Sequence, residues 1–182
     1  MLAPTPRVIS ASSIRPIKPR GFRPVGTVGS AEFQIKSPFG NPRRGSPAQR
    51  RGRSYEAKVL AELEDASLFK LFTPSPWIVF DDGDKRRLCQ PDALAFGSGS
   101  GGDWLLILEV KLRHNIMAYW QLRKLYQPVL VRMFPGYEVR VCEITKGFDP
   151  ATPWPEDIRL LQDVTQLLEL KTQEFGVLQW RI

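Results

Sequence analysis

From residue 54 onward the apolar residues of this chain keep two regular spacings; before it none survives. Val59, Leu60 and Leu63 recur at helical spacing behind Ser54, which predicts a capped helix over 55–63. Trp77-Ile78-Val79-Phe80 reads as a strand, 81–87 as a charged turn, and 88–96 as the hairpin mate that carries Pro91-Asp92. A Gly/Ser connector, 97–102, then leads into a strand over 104–112. The unbroken Leu105-Leu106-Ile107-Leu108 run of that strand implies cover on both faces. Asn115 is placed to cap a helix over 116–126, which Pro128 ends or kinks. Alternation over 137–144 predicts a further strand. Pro155 is read as opening a helix with Ile158, Leu161, Val164 and Leu168 along its seam, and 175–182 as a last strand; both serve as scaffold or as a partner surface.

The first 53 residues hold eight prolines and six glycines, so they are read as an extended or partner-bound arm. Charge divides at the same place. The arm carries eleven Lys or Arg against the single acid Glu32, whereas 54–182 carries fifteen against eighteen. A basic arm beside a mildly acidic domain suits a nucleic-acid partner, because it meets phosphates and releases their counterions without a fixed shape. The alternative is an arm that docks on a neighbouring acidic protein subunit. No apolar run approaches the ~20 residues of a membrane helix, and Met1 to Pro6 lacks a secretory stretch. The chain is therefore expected to be soluble, with no membrane partner, and cytoplasmic or virion-associated rather than secreted. Cys89 and Cys142 lack zinc-binding spacing and are read as buried, reduced thiols.

Candidate chemistry gathers on two of the predicted strands. Residues i and i+2 share a face, so Glu109 and Lys111 point together while Val110 points into the packing opposite. With Asp92 they can surround one divalent cation. Two hard oxygen ligands hold magnesium or manganese, and a lysine positions water at a phosphodiester. Glu56, at i−4 and i−7 from Leu60 and Leu63, lies on the buried stripe of the first helix, where an acid needs a partner. It is either a further metal-side carboxylate or a first-turn acid that complements the helix dipole. Lys85, Arg86 and Arg87 in the hairpin turn, and Arg113, Arg123 and Lys124 near the second helix, are placed to grip phosphates, as are Arg43, Arg44, Arg50, Arg51 and Arg53 of the arm. His114, three residues past Lys111, is read as incidental.

Pro91-Asp92 followed by Glu109-Val110-Lys111 resembles the signature of the PD-(D/E)XK nuclease superfamily, over residues 54–148. The resemblance implies an α/β fold, a restriction-endonuclease-like αβββαβ core with a mixed central sheet. Residues 1–53 form its arm, and 149–182 pack on it as a C-terminal helix and strand. It implies that Asp92, Glu109 and the Val110 carbonyl hold Mg2+ or Mn2+, with Glu56 direct or through water, and that Lys111 orients the attacking water. Gln121 resembles the helical Gln of recombination-type exonucleases, which a Tyr follows four residues on. Here Tyr126 comes five residues later, about 140° around an α-helix. The expected function is a metal-dependent nuclease that hydrolyses DNA in recombination, repair or phage DNA processing. The competing reading is an architectural component of a viral particle or nucleoprotein assembly, with a nuclease fold used for docking.

Overall fold

The fold begins well inside the predicted arm. The computed structural model describes residues 19–34, 45–147 and 157–182, and Val28–Gln34 form strand β1, paired antiparallel with β3 (Trp77–Asp82). Upstream of β1 the backbone N–H of Val25 donates to the Lys124 carbonyl at 2.9 Å and Phe22 packs on Trp120. Helix α1 spans Pro47–Asp65, eight residues longer at its start than the apolar stripe predicts. The cause is a stronger start signal than Ser54. Ser46 Oγ accepts from the Gln49 N–H, Gln49 Oε1 accepts from the Ser46 N–H at 2.8 Å, and Pro47 supplies a helical φ without a donor to satisfy. The boundary at residue 53 is thus corrected: 28–34 and 47–53 belong to the folded unit. Residues 1–18 of the arm, with Arg43 and Arg44, lie outside the described residues.

The fold is mixed α/β with two sheets. A three-stranded sheet runs in the order β1-β3-β4, and a mixed six-stranded sheet in the order β2-β5-β6-β7-β9-β8, where β2 is Leu71–Pro74, β4 Lys85–Cys89, β5 Ala93–Gly99, β6 Gly102–Arg113, β7 Glu138–Gly147, β8 Ile158–Leu161 and β9 Phe175–Gln179. The expected single mate over 88–96 is two strands in different sheets. Pro91 has no N–H to give a ladder, so the chain leaves one sheet after Cys89 and enters the other at Ala93. The Gly/Ser stretch is the end of the β5–β6 hairpin rather than a loose connector, with Gly102 at φ 112°, open to glycine. β6 pairs antiparallel with β5 and parallel with β7. The parallel pair needs a crossover, provided by α2 (Ile116–Gln121), a π-helical turn at Leu122–Tyr126 and α3 (Gln127–Met133).

Cover on both faces of β6 is as expected. Leu106, Leu108 and Val110 pack with Tyr55, Val59 and Leu63 of α1, and Leu105 and Ile107 pack with Leu122, Tyr126, Val129 and Leu130. Each such buried aliphatic side chain contributes about 1.5–3 kcal/mol. Ile78 and Phe80 of β3 join the second cluster, which seats the small sheet over α3. The predicted C-terminal helix is replaced by strand β8 and a 3-10 turn, Val164–Glu169, capped by Asp163. Its apolar run is too short to separate helix from strand by spacing, and pairing with β9 decides it; Pro155 lies outside the described residues. No helix among the described residues is long and apolar enough to cross a membrane.

This layout makes truncation informative. A chain starting at residue 19 keeps every described residue and serves as the reference. One starting at residue 51 loses β1 and the Ser46 cap, and is expected to melt at least ~5 °C lower by circular dichroism. Equal melting of the two would place β1 outside the cooperative unit.

Candidate functional site

The candidate site forms where the β5–β6 ladder stops. The last pair is Ala93 with Leu108, so continuation would set Pro91 opposite Val110. Pro91 has no N–H to offer the Val110 carbonyl, and the Val110 N–H is taken by a side chain: Asp92 Oδ2 accepts it at 2.6 Å. Beyond this point β6 keeps β7 on one side and an open edge on the other. Glu109 and Lys111 stand at that edge, and the Lys111 ammonium donates to Glu109 Oε1.

Burial sets the electrostatics. Glu109 is 1% exposed and its Oε2 is buried with no partner. Desolvation, reinforced by the nearby Asp92 charge and opposed by Lys111, pushes its pKa up to about 8. Burial raises Asp92 as well, against Lys111 and the Val110 N–H. Burial would pull Lys111 down, but the Glu109 and Asp92 carboxylates outweigh it and hold the ammonium charged. Glu56 is half-buried on α1, raised to about 7 by burial and then by Asp92, with Lys111 and Arg53 opposing. It therefore belongs to this site electrostatically. It lines a pocket of about 430 Å³ together with Gly52, Arg53, Val110 and Lys111. Another pocket, of about 540 Å³ around Phe96, Phe134 and Tyr137, contains none of the candidate residues.

Gln121 ends α2, and the π-helical turn after it corrects the expected placement of Tyr126. The Gln127 N–H reaches back five residues to the Leu122 carbonyl, which widens the turn and brings positions five apart together. Gln121 Nε2 donates to the Tyr126 hydroxyl at 3.3 Å, and that hydroxyl donates to the Gln90 carbonyl at 3.1 Å, next to Pro91-Asp92. Gln121 Oε1 remains buried and unpartnered. Tyr126, buried and facing the charges of Glu109 and Asp92, is raised well above its ordinary pKa. An assumed α-helical period hid this pair.

The basic residues divide. Arg53 lines the pocket, and Arg50, Arg51, Arg113 and Lys124 are exposed, Arg50 donating to the Gly45 carbonyl at 3.2 Å. Arg123 is committed elsewhere, to Asp157, to the Thr172 and Gln173 carbonyls and to Gln127, where it ties the crossover to the chain before β9. Lys85, Arg86 and Arg87 lie on β4 rather than in a turn; Arg86 pairs with Glu32, and Arg87 with Asp82 and the Arg23 carbonyl.

For a divalent ion, the fit rests on oxygen donors. A buried, orphaned carboxylate oxygen on Glu109 beside Asp92 suits a hard cation. Among the described residues no three His, Cys, Asp or Glu side chains converge closely enough to hold an ion between them. Two residues near the site carried no expectation of function, Glu143 and His114. Glu143 was visible as an acid on the inward side of an otherwise apolar alternation, after Val139 and Val141. Compared with known proteins, the chain matches no family model, no curated protein and no solved structure.

A carboxyl whose pKa is raised on folding binds its proton more tightly in the folded state. The stability it contributes is complete below its ordinary value of 4.5 and is lost as pH rises through about 8 for Glu109, and through about 7 for Glu56. In metal-free buffer, thermal stability is expected to fall between about pH 5 and about pH 9, and Glu109→Gln to flatten that fall. Melting curves of both proteins across this range check it; identical slopes would refute the assignment of Glu109 as the raised acid.

Proposed function

We propose that the chain is a metal-dependent nuclease that hydrolyses DNA phosphodiester bonds on a restriction-endonuclease-like core. The observation that carries this reading is the convergence of Asp92, Glu109 and Lys111 at the open edge of β6, with one carboxylate oxygen buried and unsatisfied. Element order supports it: a helix bearing Glu56, a strand after Pro91-Asp92, its antiparallel partner with Glu109 and Lys111, a helical crossover with Gln121, and a parallel strand. A structural ion pair would need only one acid for one lysine. Here two acids share Lys111, and a third faces it from α1.

Glu109 Oε2, Asp92 and the Val110 carbonyl would hold Mg2+ or Mn2+. Such an ion, when bound, supplies Lewis acidity and neutralises charge at the scissile phosphate. Lys111, kept charged by its acids, has ammonium protons beyond the one given to Glu109, with which it orients the attacking water and stabilises the phosphoryl oxygens. Glu56 accepts from water on the α1 side of the pocket. Arg53, in the same pocket, binds the flanking backbone phosphate and positions the strand without reading its sequence. Gln121 is held by Tyr126 at a fixed distance from the Pro91-Asp92 turn, with its carbonyl oxygen unspent.

Cleavage of a linear DNA duplex is expected to require Mg2+ or Mn2+. Asp92→Ala, Glu109→Ala and Lys111→Ala should each lower the rate at least ~100-fold while the far-ultraviolet circular dichroism spectrum is retained. An Asp92→Ala protein that cuts at the unmodified rate would dispose of the site, and a protein inert with both ions would dispose of the function.

A further inference from the structure

The nuclease reading leaves unused a buried acid on the strand beside the site. Glu143 of β7 is in register with Glu109 of β6. In-register residues of a parallel pair project to the same face, so the two side chains leave adjacent strands on one side of the sheet. Glu109 is 1% and Glu143 0% exposed. A buried carboxylate is costly unless it is held, and two side by side are costlier.

Glu143 is held from one side. Its Oε2 lies 2.6 Å from His114 Nδ1, with both side chains fully buried, and the Asn115 backbone N–H also donates to the carboxylate. Oε1 has no partner. His114 is fixed in turn by its backbone N–H, which donates to the Gly147 carbonyl at 2.9 Å. Asn115 caps α2 by accepting from Met117 and Ala118. Glu143 therefore fastens the turn that joins β6, with Glu109 and Lys111, to the helical segment with Gln121 and Tyr126. It also adds its charge to the field on Lys111. A residue needed only to secure the turn could be a neutral amide, which accepts the same two hydrogen bonds without the cost of a buried charge.

We propose that Glu143 and His114 are positioning residues for the proposed reaction: the Glu143 carboxylate, fixed by His114 and Asn115 on the strand beside Glu109, presents a negative charge that orients the Lys111 ammonium in the site. The inference rests on the nuclease reading above. Glu143→Gln keeps the shape and an acceptor for His114 and Asn115 but removes the charge. It is expected to melt close to the unmodified protein while kcat for Mg2+-dependent cleavage of linear duplex DNA falls on the order of 10-fold to 100-fold, the magnitude typical of residues that orient metal ligands. KM for DNA should move less than about 3-fold, because no group that binds the flanking strand is altered. His114→Asn restores a donor where Nδ1 stands and is expected to retain more activity than His114→Ala. The outcomes separate cleanly. An unmodified protein that fails to cleave with either ion overturns the nuclease reading and this role with it. Cleavage by the unmodified protein with an unchanged kcat in Glu143→Gln overturns the positioning role alone. Should Glu143→Gln fail to fold, the His114 pair decides: equal kcat in His114→Asn and His114→Ala overturns the role.

Discussion

One hydrogen bond organises the site: Asp92 Oδ2 to the Val110 N–H. It stands where the strand ladder stops, next to Pro91, which has no N–H to give the Val110 carbonyl and so does not extend the pairing. The same proline sends the preceding strand into a different sheet, which opens the edge of β6 at Glu109 and Lys111. A residue with an N–H in place of Pro91 could donate to the Val110 carbonyl and carry the ladder on over the acids. With the Asp92 carboxylate there instead, the Val110 N–H is satisfied and a charged group is delivered to the opening in one step.

Charge burial follows from that geometry. Glu109 and Lys111 lie toward the end of β6, Glu143 inside β7 and Asp92 just before β5, all beside apolar core, so water solvates them poorly. Lys111 offsets part of the cost by facing two carboxylates, and His114 offsets part at Glu143. The remainder is unspent acceptor capacity at Glu109 Oε2, Glu143 Oε1 and Gln121 Oε1. A fold selected for stability alone tends to replace such groups with apolar ones of similar volume, at little cost or some gain. Their gathering in one patch is what the proposed function rests on.

Precision comes from the crossover. The π-helical turn at Leu122–Tyr126 places Tyr126 against both Gln121 and the Gln90 carbonyl, tying the helix to the strand turn that bears Asp92. Arg123 then ties the same turn to the chain before β9. The consequence is that a cation expected to meet phosphate is part of the scaffold. Of the other candidate cations among the described residues, Arg53 lines the pocket and Arg50, Arg51, Lys85, Arg113 and Lys124 are exposed.

Local spacing by itself determined the apolar strand over Leu105–Leu108 with cover on both faces, the stripe Val59, Leu60 and Leu63, the caps at Asn115, and the pairing of Glu109 with Lys111 on one face. These follow from strand and helix periods, which are properties of neighbouring residues. Tertiary structure decided the rest. Whether 88–96 is one strand or two depended on which sheet could accept Pro91. Ile158–Leu161 became a strand because β9 offered a partner. The arm contributes β1 because β3 had a free edge to pair; the Ser46 cap, by contrast, is a local signal that the apolar stripe did not carry. Tyr126 moved into the site through an i to i−5 hydrogen bond that no apolar period reveals. Glu143 reached Glu109 because register between β6 and β7 set them side by side, a distance in space that spacing along a single chain does not contain.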